Sequence, residues 1–267
     1  EPFADGAVVE ALYAEEPDAA YLSRIAGREI TVEPLPDQDW IRLSQEGLPP
    51  VRAGRFFVYG AHDAGQVPHG VIPMRIEAGL AFGTGHHETT ALCLSVLSDL
   101  ARRRTYCNVL DLGCGTGLVA VALSDLRRRP LVGVDLPAGM LAEARAKGLY
   151  ERLVQQDLDT LLAEPGPAWP VVLAADVFCY FGALDGVLTR VARRLVPGGL
   201  CVFSVELLAE GEGWLLGRQG RYSHAEHHVR AAIADAGLAL VRCTPEVLRF
   251  AGGAPVPGLL VVARHGG

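Results

Sequence analysis

The chain is predicted to fold as an α/β protein: a doubly wound, mostly parallel seven-stranded sheet of the Rossmann-like kind, with a small α+β unit ahead of it. Three observations predict this. From about residue 89 onward, apolar strand-like runs alternate with helical patterns. Within that alternation, "VLDLGCGTGLVAVAL" at residues 109–123 places three glycines at alternate positions between an apolar run and a helical one. Two acids, Asp135 and Asp157, then fall at the ends of the next two strand-like runs. With 267 residues, 50% of them hydrophobic, a sizeable domain and a smaller appendage can both bury a core.

Taken in order, residues 1–64 read as the small α+β unit. Its strand-like runs are Val8–Leu12, Ile30–Glu33 and Arg55–Tyr59, and its helical ones Ala19–Ile25 and Asp39–Gln45. Pro, Gly and His gather between Gly65 and Pro73, which marks residues 65–75 as a linker to a domain at 76–267. That domain opens on a helix, Glu88–Ala101, with Leu92, Val96 and Leu100 on one face. Strand Asn108–Leu112, the glycine loop, helix Val119–Leu126, strand Leu131–Asp135, helix Ala138–Ala146 and a short strand near Leu153–Gln155 follow. Strand Val171–Ala174, helix Leu184–Leu195, strand Leu200–Val205, helix His224–Ala236 and two strands, Leu238–Cys243 and Leu259–Ala263, complete it. The closing pair leaves no room for a helix between them, so one is predicted to run antiparallel.

Composition removes several function classes. A net charge of −7 argues against a broad basic surface for nucleic acid, and the Arg102–Arg104 and Arg127–Arg129 triplets read as solvated helix ends. Six cysteines without CxxC or CxxxC spacing, mostly inside apolar runs, suit free thiols in a reducing compartment. No cleavable leader and no apolar run nearing the ~18 residues of a membrane span are read. A cytoplasmic protein without a membrane partner is expected.

The loop discriminates between ligands. A dinucleotide fingerprint requires G-x-G-x-x-G, but Leu118 stands where its third glycine belongs. A P-loop requires Gly-Lys-Ser/Thr, and the loop holds no lysine. What remains is D-x-G-x-G-x-G, with Asp111 two residues ahead of Gly113. A carboxylate aimed into such a pocket suits a ligand that carries an ammonium and a sulfonium and no pyrophosphate, which describes S-adenosylmethionine. Asp135 is placed for a bidentate contact to ribose hydroxyls, and Asp157, in "QQDL", for an adenine amino group. The expected cofactor-binding set is Thr90, Asp111, Gly113, Gly115, Thr116, Gly117, Asp135, Leu136, Met140, Asp157, Leu158 and Asp176. A blander alternative, a turn that only lets strand and helix pack tightly, leaves the downstream acids unexplained.

Two stretches, "PVRAGRFFVYGAHD" and "IEAGLAFGTGHHETTALCL", resemble the ribosomal-protein methyltransferase family called PrmA over residues 7–117. The resemblance implies N-methylation of a large-subunit ribosomal protein at lysines and its amino terminus, with a small N-terminal domain that recognises the substrate. That domain is longer in the family, so the unit here reads as truncated by about half. By position the resemblance carries cofactor contacts to Thr90, Gly113 and Asp135. Beyond Gly117 the family has Asn-Ile-Leu-Ala after its fourth strand, where this chain has Ala175 in "LAADVFCYFGAL". There "GVDLPAGMLAEARAKGLY", "GRYSHAEHHVR" and "GLLVVAR" resemble methyltransferase domains attached to tetratricopeptide repeats. Both halves imply the class I S-adenosylmethionine-dependent methyltransferase fold and the same cofactor, and they differ over the acceptor.

Methyl transfer from a sulfonium is an in-line displacement, so positioning and exclusion of water carry most of the rate. Thr90, at the start of a helix over the methionine end, and Asp176, just beyond the fourth strand, are the catalytic candidates. Asp176 would hold the methionine ammonium or an incoming amine, or else serve as a plain turn acid. Phe178, Tyr180 and Phe181 either wall the pocket or belong to the core. His86 and His87 read as loop hydrogen-bonders, and His224, His227 and His228 as a partly exposed helix face; no acid or cysteine joins them at metal-ligand spacing, so no metal is expected. Three readings compete: protein N-methylation of a basic ribosomal protein, methylation of a small molecule or other protein, and a non-catalytic cofactor-binding or interaction module.

Overall fold

The computed structural model describes residues 17–32, 50–53, 56–76, 89, 92–93, 95–96, 108–123, 131–251 and 254–266. The chain divides into two compact units, residues 1–40 and 41–267. In the first, helix α1 (Ala19–Ala26) starts where Asp18 Oδ1 accepts from the Tyr21 N–H at 3.0 Å and stops at Gly27, whose φ of 66° closes the turn. Ile30–Val32 carries no strand, contrary to the sequence reading, while Val8–Leu12 and Asp39–Gln45 lie outside the described residues.

The second unit begins with a three-stranded sheet in the order β1 (Val51–Ala53), β2 (Phe56–Gly60), β3 (Ile72–Ile76), with a 3₁₀ turn at Ala61–Gln66. β1 runs antiparallel and β3 parallel to β2. The segment expected to be a linker therefore holds strand: Pro73 is compatible with it because β3 is an edge among the described strands.

The main sheet has the order β11-β12-β8-β7-β4-β5-β6, formed by β4 (Val109–Leu112), β5 (Leu131–Asp135), β6 (Arg152–Gln155), β7 (Trp169–Ala174), β8 (Leu195–Leu207), β11 (Leu238–Ala251) and β12 (Ala254–His265). Only β12 runs against the rest of this path. A short hairpin, β9 (Trp214–Leu216) and β10 (Tyr222–His224), extends it through a parallel pairing of β10 with β8. The helices are α2 (Leu118–Leu123), α3 (Ala138–Ala146), α4 (Leu158–Ala163), α5 (Asp185–Arg193) and α6 (Glu226–Asp235), and Thr89, Leu92, Cys93, Ser95 and Val96 are also helical.

Both faces of the sheet are covered, which is why its strands read as unbroken apolar runs. The pleat sends Leu110, Leu112, Val172, Ala174 and Phe203 into one core and Val109, Val171, Leu173, Leu200 and Val202 into the other. The β11–β12 hairpin is much longer than its apolar stretches suggested. Pro245 is admitted because β11 is an edge strand, and Pro255 and Pro257 because β12 pairs with β8 only from Gly258 onward. No helix among the described residues is long and apolar enough to cross a membrane.

Candidate active site

Chain order reverses between β4 and β7: β5 and β6 continue on one side of β4, β7 and β8 on the other. Ligands of doubly wound sheets lie beyond the strand tips at such a point. The glycine loop leaves the tip of β4 there, and the Asp176–Val177 turn leaves the tip of β7 beside it.

Gly113, Gly115 and Gly117 all take positive φ, at 64°, 53° and 91°, a backbone that side chains with a Cβ rarely adopt. Gly113 has a second reason: a Cβ there would stand 2.4 Å from Val177 Cγ2, so the loop can touch the β7 turn only through glycine. Gly115 has nothing within 4 Å of that position, so among the described residues the middle of the loop fronts open space. Thr116 offers its carbonyl to Lys147 Nζ at 2.7 Å.

At the tip of β5, Asp135 Oδ2 accepts from the Gly115 N–H at 2.6 Å and Oδ1 from the Leu136 N–H at 2.8 Å. The loop and the second strand tip are thereby tied through one half-exposed carboxylate. Leu136 beside it is 60% exposed, an apolar platform with its carbonyl held by Gln155 Nε2 at 3.0 Å. These features fit the predicted cofactor: an open glycine cradle, a carboxylate at a strand tip, and an apolar surface next to it.

Other predicted residues are placed differently. Asp111 does not face the open side of the loop. It shares the face of Val109, is buried, and accepts from the Tyr150 hydroxyl at 2.6 Å. Burial pushes its carboxyl up to about 7, against the Tyr150 hydrogen bond and with help from the Asp135 charge. Met140 is buried on α3 with Leu141 and Ala144, in the core instead of on the open face, because α3 packs that side inward. Leu158 packs against the core at the start of α4. Asp157 caps that helix, its Oδ1 accepting from Thr160 N–H at 3.0 Å and from the Thr160 hydroxyl at 3.2 Å. Thr90, His86 and His87 lie outside the described residues; neighbouring Thr89 is buried and donates to the Leu248 carbonyl at 2.8 Å.

Asp176 takes a φ of 60°, unusual for a residue with a side chain, and its N–H donates to Ser204 Oγ at 3.1 Å. Both carboxylate oxygens receive the Arg221 guanidinium. Arg221 also lies 5.2 Å from the centre of the Tyr180 ring, donates to its hydroxyl at 3.1 Å, and donates through Nε to Glu206. Glu206 in turn accepts from Arg249 Nε and Nη2 at 3.1 and 2.8 Å. Asp176, Arg221, Glu206 and Arg249 thus form one chain of alternating charge at the tips of β7 and β8. Sequence reading missed all but Asp176, although a charged residue closing a buried strand in "CVFSVE" and the arginine of "GRYSH" were visible signals. Tyr180 remains exposed, whereas Phe178 belongs to the core, 5.1 Å from Phe203.

The histidines also differ from expectation. His224 ends β10 instead of opening a helix, is buried, and directs Nε2 to the Phe181 and Gly182 carbonyls, each at 2.9 Å. Two carbonyl partners require the proton on Nε2, and burial holds the ring's pKa down. His228 stacks on it at 6.1 Å. Among the described residues no three His, Cys, Asp or Glu side chains gather as metal ligands, and the five cysteines are free. A groove of about 490 Å³ beyond β8, lined by Leu207, Leu208, Glu226 and Arg230 among others, includes none of the predicted cofactor residues.

The model of the family described as ribosomal protein L11 methyltransferase (PrmA) matches residues 3–165, well past Gly117, where the likeness was expected to weaken. A ribosomal protein L11 methyltransferase of Caulobacter sp. strain K31 is 47% identical over 212 residues, which cover 71% of this chain and 67% of the relative. One from Rhizobium etli is 37% identical over 201 residues, covering 72% and 68%. The chain thus spans about two thirds of the length of these curated relatives. Among solved structures, the magnesium protoporphyrin IX methyltransferase of Synechocystis with bound S-adenosylmethionine superposes with a TM-score of 0.51 at 19% identity, over 67% of this chain and 80% of that one, which shows the shared class I fold. A S-adenosylmethionine-dependent methyltransferase from Clostridium acetobutylicum does so at 0.51 and 15% identity, over 69% and 94%. Matched over more than half its length, the chain belongs to the ribosomal protein L11 methyltransferase (PrmA) family.

Proposed function

We propose that the chain is an S-adenosylmethionine-dependent methyltransferase whose acceptor is a nitrogen of a ribosomal protein, at a lysine or the amino terminus, with protein L11 the acceptor its relatives' names indicate. The observation that carries this is Asp135, held by two backbone N–H groups at the tip of β5 next to an open glycine turn. Bound there, S-adenosylmethionine would supply an electrophilic methyl on a cationic sulfur. Asp135 would accept hydrogen bonds from the ribose hydroxyls, and Leu136 would lie under the adenine with Asp157 at its edge. Gly113, Gly115, Thr116 and Gly117 would admit the methionine end, and Thr90 and Asp176 would flank the transferring group. Asp111 would support the loop from beneath through its hydrogen bond with Tyr150. A net charge of −7 suits a basic partner.

Calorimetry with S-adenosylmethionine, followed by incubation with labelled donor and isolated ribosomal protein L11, tests the reading. Binding in the micromolar range and label in the protein support it. No heat with the donor, or label only in other acceptors, rejects it. A second reading, a methyl acceptor other than a ribosomal protein, is favoured by one observation: Ala175 stands where the family's asparagine would. The same incubation separates the two.

A further inference from the structure

We propose that Arg221 is a positioning residue for the acceptor, neutralising Asp176 so that the incoming nitrogen is taken as the free amine. The inference rests on the nitrogen acceptor of the proposed function. Asp176 stands beside the glycine loop proposed to hold the donor: Val177, its neighbour, is in contact distance of where a Gly113 Cβ would be, and the Asp176 turn and the glycine loop leave adjacent strands. Its carboxylate is partly exposed, so an acceptor can reach it.

A lone carboxylate in that place would favour the acceptor as ammonium, which has no lone pair to attack with. The structure instead places a guanidinium on both of its oxygens. Among the described residues, the charged and titratable groups around Asp176 are Arg221 ahead of β10, Glu206 on β8 with Arg249 of β11 behind it, Tyr180 and Cys179 on the 3₁₀ turn, and Cys93 from the helical segment on the other core. Burial keeps both thiols protonated. Among the described residues two carboxylates therefore face two guanidiniums, and these four side chains together carry no net charge. Asp176 keeps lone pairs to accept an amine N–H without selecting its protonated form.

The acceptor gives its proton to water on entry. Its lone pair then forms the N–C bond as the C–S bond breaks, that electron pair going to sulfur. The methylammonium so formed loses a proton to water.

The test is the pH dependence of methyl transfer to isolated ribosomal protein L11, from about pH 6 to pH 10. For Arg221→Gln the rising limb of kcat, which reports the bound acceptor, should move up by about 1 unit, with roughly a tenfold loss at neutral pH and donor Kd unchanged. Arg221→Lys should return the limb, and Asp176→Asn combined with Arg221→Gln should return its midpoint without restoring the full rate. A midpoint that stays put in Arg221→Gln, whether activity falls or not, overturns the inference; so does a double variant that keeps the shift. If the unsubstituted chain binds the donor yet labels no protein amine at any pH, the functional reading fails and takes the inference with it.

Discussion

The glycine-loop side of the switch point and the β7–β8 side are built by different means. On the loop side the features are set by the backbone: the alternating glycines take three positive φ values, Asp135 reaches back 20 residues to the Gly115 N–H, and Gly113 fits against Val177 because it has no Cβ. On the β7–β8 side the contacts join distant parts of the chain, with Arg221 45 residues from Asp176 and Arg249 43 residues from Glu206. The first is a backbone cradle, rigid because of what its residues lack. The second is a charge network, rigid only while every member is present.

The largest expected effect lies on the network side. Glu206→Ala leaves two largely buried guanidiniums without their shared carboxylate and should destabilise the fold by about 3–5 kcal/mol in denaturant titration. A loss below about 1 kcal/mol would mean that water replaces the carboxylate and that the network is not buried in solution. Gly113→Ala comes next, on the loop side. The clash with Val177 and the positive φ together should cost about 2–4 kcal/mol and weaken donor binding, read by unfolding and by calorimetry. A variant that binds donor normally would show that the loop relaxes away from β7.

Asp135→Ala is smaller and should act on affinity: a loss of about 1.5–3 kcal/mol in donor binding, the scale of charge-assisted hydrogen bonds. Unchanged affinity would move the ribose elsewhere. If Glu206→Ala lowers donor affinity as much as Asp135→Ala does, the two sides are one cooperative unit and the contrast between them fails.

The last effect is a change of slope. Asp111 ionises near 3.8 when unfolded and at about 7 when buried, so the folded state holds the proton longer. Stability from this group is full below pH 4, falls as pH rises from about 4 to about 7, and is level above. Asp111→Asn, which keeps an acceptor for Tyr150, should flatten that decline in unfolding titrations across the same window. A parallel decline in both proteins would assign it to other groups.

Much of the main domain was legible because burial on both faces writes a continuous apolar run for each strand, and short helices between them leave their own period. Strands β4 and β5 and helix α3 were read closely for that reason. The β9–β10 hairpin was not, since "WLL" and "YSH" are too short to show a period, and β10 exists because β8 offers it an edge. His224 was assigned to a helix for the same reason.

By itself the sequence determined the sheet alternation, the glycine turn and the carboxylate at the second strand tip, because each depends on backbone freedom or on period within a few residues. Which way Asp111 points, that Met140 lies inward, and that Asp176 meets Arg221 were decided only by the tertiary structure. The pleat, the helix face and the pairing of distant charges take their energy from neighbours that local spacing does not name.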